Sequence, residues 1–235
     1  MKTRVIIRIL CSEIKKSIRF FPMMFFSAAI SFALPSCSAS NYGSLVLQKE
    51  ESQGDTFRCV RGITSEKAVY KTDIDVFGRH FSGLMLIKRN SLNDYRIVFI
   101  SQVGLSIFDY GLKNGVFTDY YSIDYIKDNG MASSVLRDDL RLILSDELSP
   151  PIGKYYSNSE KKSVYKFASG KNYNYYFMDG NACQIERIEK ANDSYKITVV
   201  EYSDYSEGYP GKITLRHFNF DLRITCMKIN GALDE

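Results

Sequence analysis

The chain has 235 residues but no tryptophan, only two histidines, and five each of cysteine and proline. So few cysteines exclude a small domain built from disulfides. The scarcity of proline, with 15 glycines, excludes collagen-like and proline-rich architectures. A hydrophobic fraction of 45% is too high for a disordered protein. The chain is therefore globular and long enough for one domain or two small ones.

The excess of basic residues is confined to the start of the chain. The formal net charge is +4, and residues 1–36 alone carry +5, which leaves −1 for residues 37–235. A near-neutral body gives no reason to expect a nucleic acid partner. The charged residues at the start are Glu13 and the basic residues Lys2, Arg4, Arg8, Lys15, Lys16 and Arg19.

An uncharged run from Phe20 to Leu34 follows this basic segment. As a helix, these fifteen residues would rise about 22 Å, short of the roughly 30 Å hydrocarbon core of a bilayer. Pro22 shortens the usable helix further. A positive segment followed by a short apolar run is typical of a secretory signal, so residues 1–36 are predicted to direct export.

The signal ends in Leu34-Pro35-Ser36-Cys37-Ser38, which resembles a bacterial lipobox. The resemblance implies that the thiol of Cys37 receives diacylglycerol and that the mature chain begins there. Two or more acyl chains, palmitate for example, hold a protein stably on a membrane. The alternatives are ordinary signal cleavage near Ser38 or Ser40, or an uncleaved anchor.

Residues 37–68 are predicted to be a lipid-anchored tether leading into the domain, because Ser38 to Gly54 is mostly small and polar. No acidic residue closely follows Cys37. By resemblance to sorting rules in bacteria with two membranes, this implies the outer membrane, facing the periplasm. Cys59, Cys183 and Cys226 then remain, and one disulfide plus one thiol, or three buried thiols, are both open.

Residues 69–235 consist of short runs rich in Tyr, Phe, Ile and Val, separated by turn residues. Gaps this short cannot house parallel crossovers, so we expect one antiparallel sheet. The eleven predicted strands are Val69–Val76, His80–Lys88, Tyr95–Ser101, Ser106–Leu112, Val116–Tyr121, Val164–Ser169, Tyr173–Met178, Cys183–Lys190, Ser194–Tyr202, Lys212–Phe218 and Leu222–Ile229.

One segment after the fifth predicted strand changes to helical spacing. Asp128 or Asn129 is a suitable N-cap, and Pro150-Pro151 prevents the helix from continuing. Its apolar residues are Met131, Val135, Leu136, Leu140, Ile143 and Leu144.

This strand order resembles the periplasmic lipoprotein-carrier (Lol-type) fold and small uncharacterised Bacteroidota lipoproteins related to it. Three stretches carry the resemblance: Phe81-Ser82-Gly83, Tyr95-Arg96-Ile97-Val98-Phe99 running through Gly104-Leu105, and the hairpin after Tyr209-Pro210-Gly211. The resemblance implies a mainly β open half-barrel with a covering helix and an apolar groove for lipid or lipoprotein acyl chains. It also implies that Leu105, in the loop between the third and fourth predicted strands, contacts the membrane.

An open sheet with one apolar face must bury that face, and a single helix leaves room for a groove. The alternative is that the same residues form a dry core. The predicted lining residues are Leu84, Leu86, Phe99, Phe108, Phe117, Met131, Leu136 and Leu140.

No hydrolase, metalloprotease or phosphate-loop motif occurs. We therefore predict a binding protein without catalytic residues, metal or cofactor. The alternative is an accessory interaction lipoprotein of the cell envelope, which a solidly packed inner face and an apolar outer patch would favour. A hydrolase would require His80 or His217 beside a carboxylate and a hydroxyl in a cleft.

Overall fold

The structure is a computed structural model that describes Tyr42 and residues 44–47, 66–145, 151–157, 159–179, 184–192, 194–206 and 209–229. The predicted signal, the lipidation site Cys37, and the thiols Cys59 and Cys183 lie outside these residues. Export, lipidation and any pairing of those two cysteines therefore stay predictions.

Strands make up most of the described chain. They are β1 (Leu45–Leu47), β2 (Lys67–Val76), β3 (Arg79–Ser91), β4 (Asp94–Ser101), β5 (Ser106–Lys113), β6 (Val116–Ser122), β7 (Gly153–Ser157), β8 (Lys162–Ser169), β9 (Asn172–Met178), β10 (Ile185–Ala191), β11 (Lys196–Ser203), β12 (Lys212–His217) and β13 (Leu222–Lys228). Two helices, α1 (Asp124–Lys127) and α2 (Gly130–Leu144), lie between β6 and β7. Neither of these helices is long and apolar enough to cross a bilayer.

All thirteen strands form one antiparallel sheet in the order β1-β7-β8-β9-β10-β11-β12-β13-β2-β3-β4-β5-β6. The two edge strands, β1 and β6, are not paired with each other, so the sheet does not close. The predicted mainly β fold, an open half-barrel formed by one antiparallel sheet, is confirmed.

The predicted count of eleven strands is wrong, because the sequence pattern missed β1 and β7. β1 has only three residues and lies inside the predicted tether, yet Leu45 to Leu47 pair with Ser157 to Tyr155 of β7. β7, which begins at Gly153, contains no apolar alternation that would mark it as a strand. The sheet therefore begins before residue 69, where the domain was predicted to start.

The predicted helix is α2, and its start is the one expected from the sequence. Oδ1 of Asn129 accepts a hydrogen bond of 3.0 Å from the N–H of Ala132, which satisfies a free donor of the first turn. The helix ends at Leu144 because Ser145 adopts a left-handed conformation, with φ of 53°. The expectation of one helix is corrected to two, since α1 precedes α2.

The sheet has a helix-facing face and an outer face, and β2 shows how the sequence separates them. Tyr70, Thr72, Ile74 and Val76 alternate along the strand and are buried on the helix-facing face. The same face of the other strands joins α1 and α2 in one hydrophobic core. We therefore expect the functional site between the two helices and this face of the sheet.

Part of the outer face is covered by the N-terminal segment. Tyr42 stacks on Tyr175 of β9, with ring centroids 3.9 Å apart and planes 3° apart. The Tyr42 hydroxyl donates a hydrogen bond of 2.7 Å to Oε2 of Glu189, which is almost completely buried. Arg187 and Lys196 form ion pairs with the other oxygen of Glu189. Burial and this hydrogen bond raise the pKa of the Tyr42 phenol.

Removing the Tyr42 hydroxyl, or the whole Tyr42 side chain, is expected to destabilise the fold to different extents. Tyr42→Phe loses one hydrogen bond to a carboxylate and should lower the free energy of unfolding by about 1 kcal/mol. Tyr42→Ala also loses the stacked ring and should cost about 2–4 kcal/mol. Urea denaturation measures both, with Tyr195→Phe at an exposed position as the control. Equal stability of Tyr42→Ala and wild type would show that this segment is not docked.

Candidate functional site

The candidate site is the interface between α1, α2 and the helix-facing face of the sheet. A small cavity of about 30 Å³ lies in this interface, and its walls are almost entirely apolar. This volume holds about one water molecule. The lining residues are Ile74, Val76, Phe81, Phe99, Ile107, Phe108, Tyr125, Ile126, Ala132, Leu136 and Leu222.

Five of the eight predicted groove residues belong to this interface. Phe99, Phe108 and Leu136 line the cavity itself. Leu140 is fully buried in the same core, and Phe117 packs against that core from β6. The sequence pattern thus identified the correct layer at β4, β5, β6 and α2.

The other three predicted groove residues are wrong. Leu84 and Leu86 lie on the outer face, because the helix-facing residues of β3 include Met85 and Ile87. The run from Leu84 to Ile87 is apolar on both faces, so alternation could not select the buried side. Met131 lies in the first turn of α2 and is 67% exposed.

The sequence analysis did not predict several of the lining residues, although the sequence pattern indicates some of them. Ile74 and Val76 lie on the apolar side of a clearly alternating strand, and Leu222 begins the last predicted strand. Tyr125 lies in α1, whose four residues are too few for a periodic pattern to show. Ala132 is small and carried no signal by itself.

A buried polar contact fixes α2 over β12. Nε2 of His217 lies 2.7 Å from Oδ1 of Asp139, and the two side chains are only 6% and 1% exposed. The other carboxylate oxygen of Asp139 has no hydrogen-bond partner. Burial raises the pKa of the Asp139 carboxyl, and the bond to His217 offsets only part of this effect. A pair of this kind orients a helix more than it stabilises it.

The C-terminal end of α2 is held by a buried tyrosine of β11. The Tyr202 hydroxyl donates to the carbonyl oxygens of Leu142 at 2.8 Å and Ile143 at 3.2 Å. These carbonyls are among those that a helix leaves without an internal partner. In the same last turn of α2, a guanidinium N–H of Arg141 donates to the carbonyl oxygen of Gly115 in the turn before β6. Lys190 of β10 also forms an ion pair with Asp138 of α2. A few polar contacts therefore connect α2 to the sheet, and much of the remaining interface is apolar.

His217 also lies beside a hydroxyl, so the residue types of a hydrolytic triad come together. Oγ1 of Thr198 is 3.2 Å from Nδ1 and 3.4 Å from Nε2 of His217. A hydroxyl almost equally far from both ring nitrogens is not aimed at either one. Thr198 and Asp139 are enclosed in the core, where no substrate reaches them, so we interpret the group as a structural contact.

The remaining histidine and cysteine of the described chain have ordinary surroundings. His80 is exposed and lies 2.7 Å from Asp75 on the outer face. Cys226 is a free, buried thiol near the hydroxyl of Thr72. Within the described ranges, no group of three or more His, Cys, Asp or Glu side chains is placed to hold a metal ion.

The outer face of β3 and β4 carries an apolar patch. Leu84 pairs with Ile100 across these strands, and both side chains are substantially exposed. The turn that follows β4 continues the patch with Val103, 80% exposed, and Leu105, 65% exposed. Leu105 therefore lies at an exposed turn, where the predicted membrane contact is sterically possible.

No protein-family model matches the chain, and no curated protein matches it. Among solved structures, a LolA superfamily protein from Nitrosomonas europaea matches 77% of this chain and 93% of its own, with a TM-score of 0.50 and 4% identity. This chain has a LolA-type fold. The expected lipoprotein-carrier fold is thus confirmed, and at 4% identity the match shows the fold alone.

Two further structures align less closely. An outer membrane lipoprotein-sorting protein domain from Vibrio parahaemolyticus covers 72% of this chain and 86% of its own, with a TM-score of 0.44 and 10% identity. A DUF1329 family protein from Desulfovibrio piger covers 71% and 85%, with a TM-score of 0.38 and 11% identity.

The raised pKa of Asp139 predicts how stability changes with pH. Because the folded protein holds this proton more tightly than the unfolded chain, the contribution of Asp139 to stability is largest below its ordinary pKa of 3.8. That contribution is lost as the pH rises through the raised value. Asp139→Asn removes the titration but keeps an oxygen that accepts from His217. The variant should therefore gain stability relative to wild type as the pH rises above 3.8 and through the raised pKa of Asp139.

Urea denaturation at several pH values measures this difference. Asp138→Asn is the matched control, because Asp138 is the neighbouring carboxyl on α2 and is 46% exposed, beside Arg141 and Lys190. If the free energy of unfolding of Asp139→Asn falls relative to that of wild type as the pH rises, the assigned direction of the pKa shift is contradicted.

Proposed function

We propose that the protein is an exported lipoprotein that binds acyl chains of lipids or other lipoproteins between α2 and the sheet. In this proposal, lipid on Cys37 attaches it to the outer membrane, facing the periplasm. Protein partners and cofactors are not needed for the exchange itself. The ligand leaves one apolar environment for another, so the step requires no chemical energy input.

The apolar interface between α2 and the sheet carries this proposal. It contains an apolar cavity, and few polar contacts cross it. Burial of a sixteen-carbon chain would gain on the order of 10 kcal/mol before the entropy costs of binding. That gain is large compared with the few hydrogen bonds that hold α2 in place.

The size of the cavity sets a condition on binding. A space of about 30 Å³ does not admit an acyl chain, so α1 and α2 must move away from the sheet for the ligand to enter. Ser122 at the end of β6 and Ser145 after α2 bound the segment that would move.

The exposed turn after β4 supports a second contact with the membrane. Val103 and Leu105 present two apolar side chains at the end of the Leu84–Ile100 patch. We propose that this turn touches the bilayer surface while the lipid on Cys37 keeps the protein nearby. Apolar side chains at an interface gain free energy in proportion to the area that they bury.

A second candidate function is an accessory interaction lipoprotein with no ligand. The same outer patch favours it, because Leu84 and Ile100 are exposed while the helix-facing side is nearly filled. Exposed apolar patches commonly mark protein contacts. The two candidates differ in where a substitution acts: at the cavity for the carrier, at the outer patch for the accessory protein.

Filling the cavity is expected to weaken acyl binding. Ala132 lines the cavity, and Ala132→Leu places three more carbons where the acyl chain must lie. The variant should bind a fluorescent sixteen-carbon fatty acid at least tenfold more weakly, about 1.4 kcal/mol. Native mass spectrometry and fluorescence titration of the chain from Ser38 onward, which contains every described residue, measure the binding.

Leu84→Gln is the matched control, because it changes the outer patch and leaves the cavity untouched. The carrier proposal predicts that this control binds the fatty acid like wild type. Wild-type protein that carries no lipid and takes up no fatty acid would instead contradict the proposal and favour the accessory role.

Lipidation is expected to require Cys37. In a bacterial host that processes lipoproteins, radiolabelled palmitate should be incorporated into the wild-type chain, and intact mass should show a chain that begins at Cys37. Cys37→Ser should lose the label and leave the membrane fraction, because one stable anchor is removed. Cys11→Ser, within the predicted signal, is the control. A wild-type chain that retains its leader and lacks the label would refute the proposed attachment.

A further inference from the structure

A cation lies at the rim of the apolar cavity. Arg79 is the first residue of β3 and pairs with Val76 of β2. It lies two positions before Phe81 on the helix-facing side of the strand. The centre of its guanidinium group is 4.4 Å from the centroid of the Tyr125 ring. Val76, Phe81 and Tyr125 all line the cavity, so the charge lies beside one part of the cavity wall.

Arg79 differs from the arginines that are paired elsewhere in the protein. Arg96 pairs with Asp109, Arg141 with Asp138, and Arg187 with Glu160 and Glu189. For Arg79, no carboxylate of the described chain lies within ion-pair distance, and its recorded contact is the Tyr125 ring.

The surroundings of Arg79 are polar but balanced in charge. Arg79, His80, Asp75, Asp221 and Arg223 line a shallow depression of about 270 Å³. Asp75 is already bonded to His80, at 2.7 Å. A guanidinium stacked on an aromatic ring keeps the N–H groups at its edge available as donors. These donors match the two oxygens of a carboxylate or phosphate.

We infer that the ligand is an anionic amphiphile whose acyl chain lies under α2 and whose carboxylate or phosphate is bound by Arg79. This inference rests on the proposed function and narrows its ligand class. The acylated cysteine of a lipoprotein carries its chains on esters and an amide, which have no charge. Arg79 therefore favours a fatty acid or an anionic phospholipid over a lipoprotein.

Photolabelling of the full chain tests this inference. The chain is placed in nanodiscs of phosphatidylcholine at alkaline pH, where a fatty acid is ionised. The probes are photoreactive forms of a sixteen-carbon fatty acid, the alcohol of equal length, and phosphatidylglycerol. Labelled peptides that contain Phe81, Phe99 or Leu136 are quantified by mass spectrometry, and empty nanodiscs provide the background.

The anionic probes are expected to label these peptides about tenfold more than the alcohol, as a charge-assisted hydrogen bond predicts. The stronger of the two anionic probes identifies the natural source as a free acid or a phospholipid. Arg79→Gln should lower the labelling to that of the alcohol, and Arg79→Lys, which keeps a positive charge, should retain most of the preference. Arg216→Gln is the matched control, because the Arg216 guanidinium also lies over an aromatic ring. It is 4.5 Å from the centroid of the Phe218 ring.

Equal labelling by acid and alcohol in wild type, or unchanged labelling in Arg79→Gln, would overturn the role of Arg79 while the acyl-binding proposal stands. Absence of labelled peptides with every probe would refute acyl binding, and the headgroup inference with it. Circular dichroism checks that each variant is folded. If Arg79→Gln does not fold, the labelling of Arg79→Lys still tests the role of Arg79.

Discussion

An antiparallel sheet that does not close on itself must bury one apolar face against something else. Here the covering layer is α2, whose Leu136 and Leu140 are buried in one core with residues of the sheet. Dispersion and hydrophobic burial hold this contact, and neither is directional. A lipid chain offers the sheet the same kind of contact as α2 does. The competition between helix and chain for one apolar face is the physical basis of the proposed function.

The few directional contacts determine where α2 lies when no ligand is present. His217 and Asp139 align its middle, and Tyr202 satisfies carbonyl groups at its C-terminal end. Each contact is worth about 1 kcal/mol net, which is small compared with the burial of an acyl chain. On the outer face of the sheet, Tyr42 and Glu189 attach the N-terminal segment. Both sets of contacts fix where α2 and the N-terminal segment lie on the sheet, and neither requires the whole protein to be rigid.

Eleven of the strands, the main helix and its start at Asp128 or Asn129 could be predicted from the sequence, because alternation and helical spacing reflect one-sided burial directly. The sides of Leu84 and Leu86 could not, since their strand is apolar on both faces and a shift of one residue reverses every side chain. β1 was missed because it is short and gains its stability from pairing with β7. Arg79 carried no pattern, and only the fold places it at the rim of the cavity.

The separation of α2 from the sheet is the most direct test of the account. Spin labels at Ser134, exposed on α2, and at Leu84, on the outer face, can report this distance after the native cysteines are replaced by serine. Addition of a sixteen-carbon fatty acid should lengthen the distance measured by pulsed electron paramagnetic resonance by several ångströms, about the width of an acyl chain. An unchanged distance while the fatty acid is bound would contradict the account, because the chain would then lie somewhere other than beneath α2.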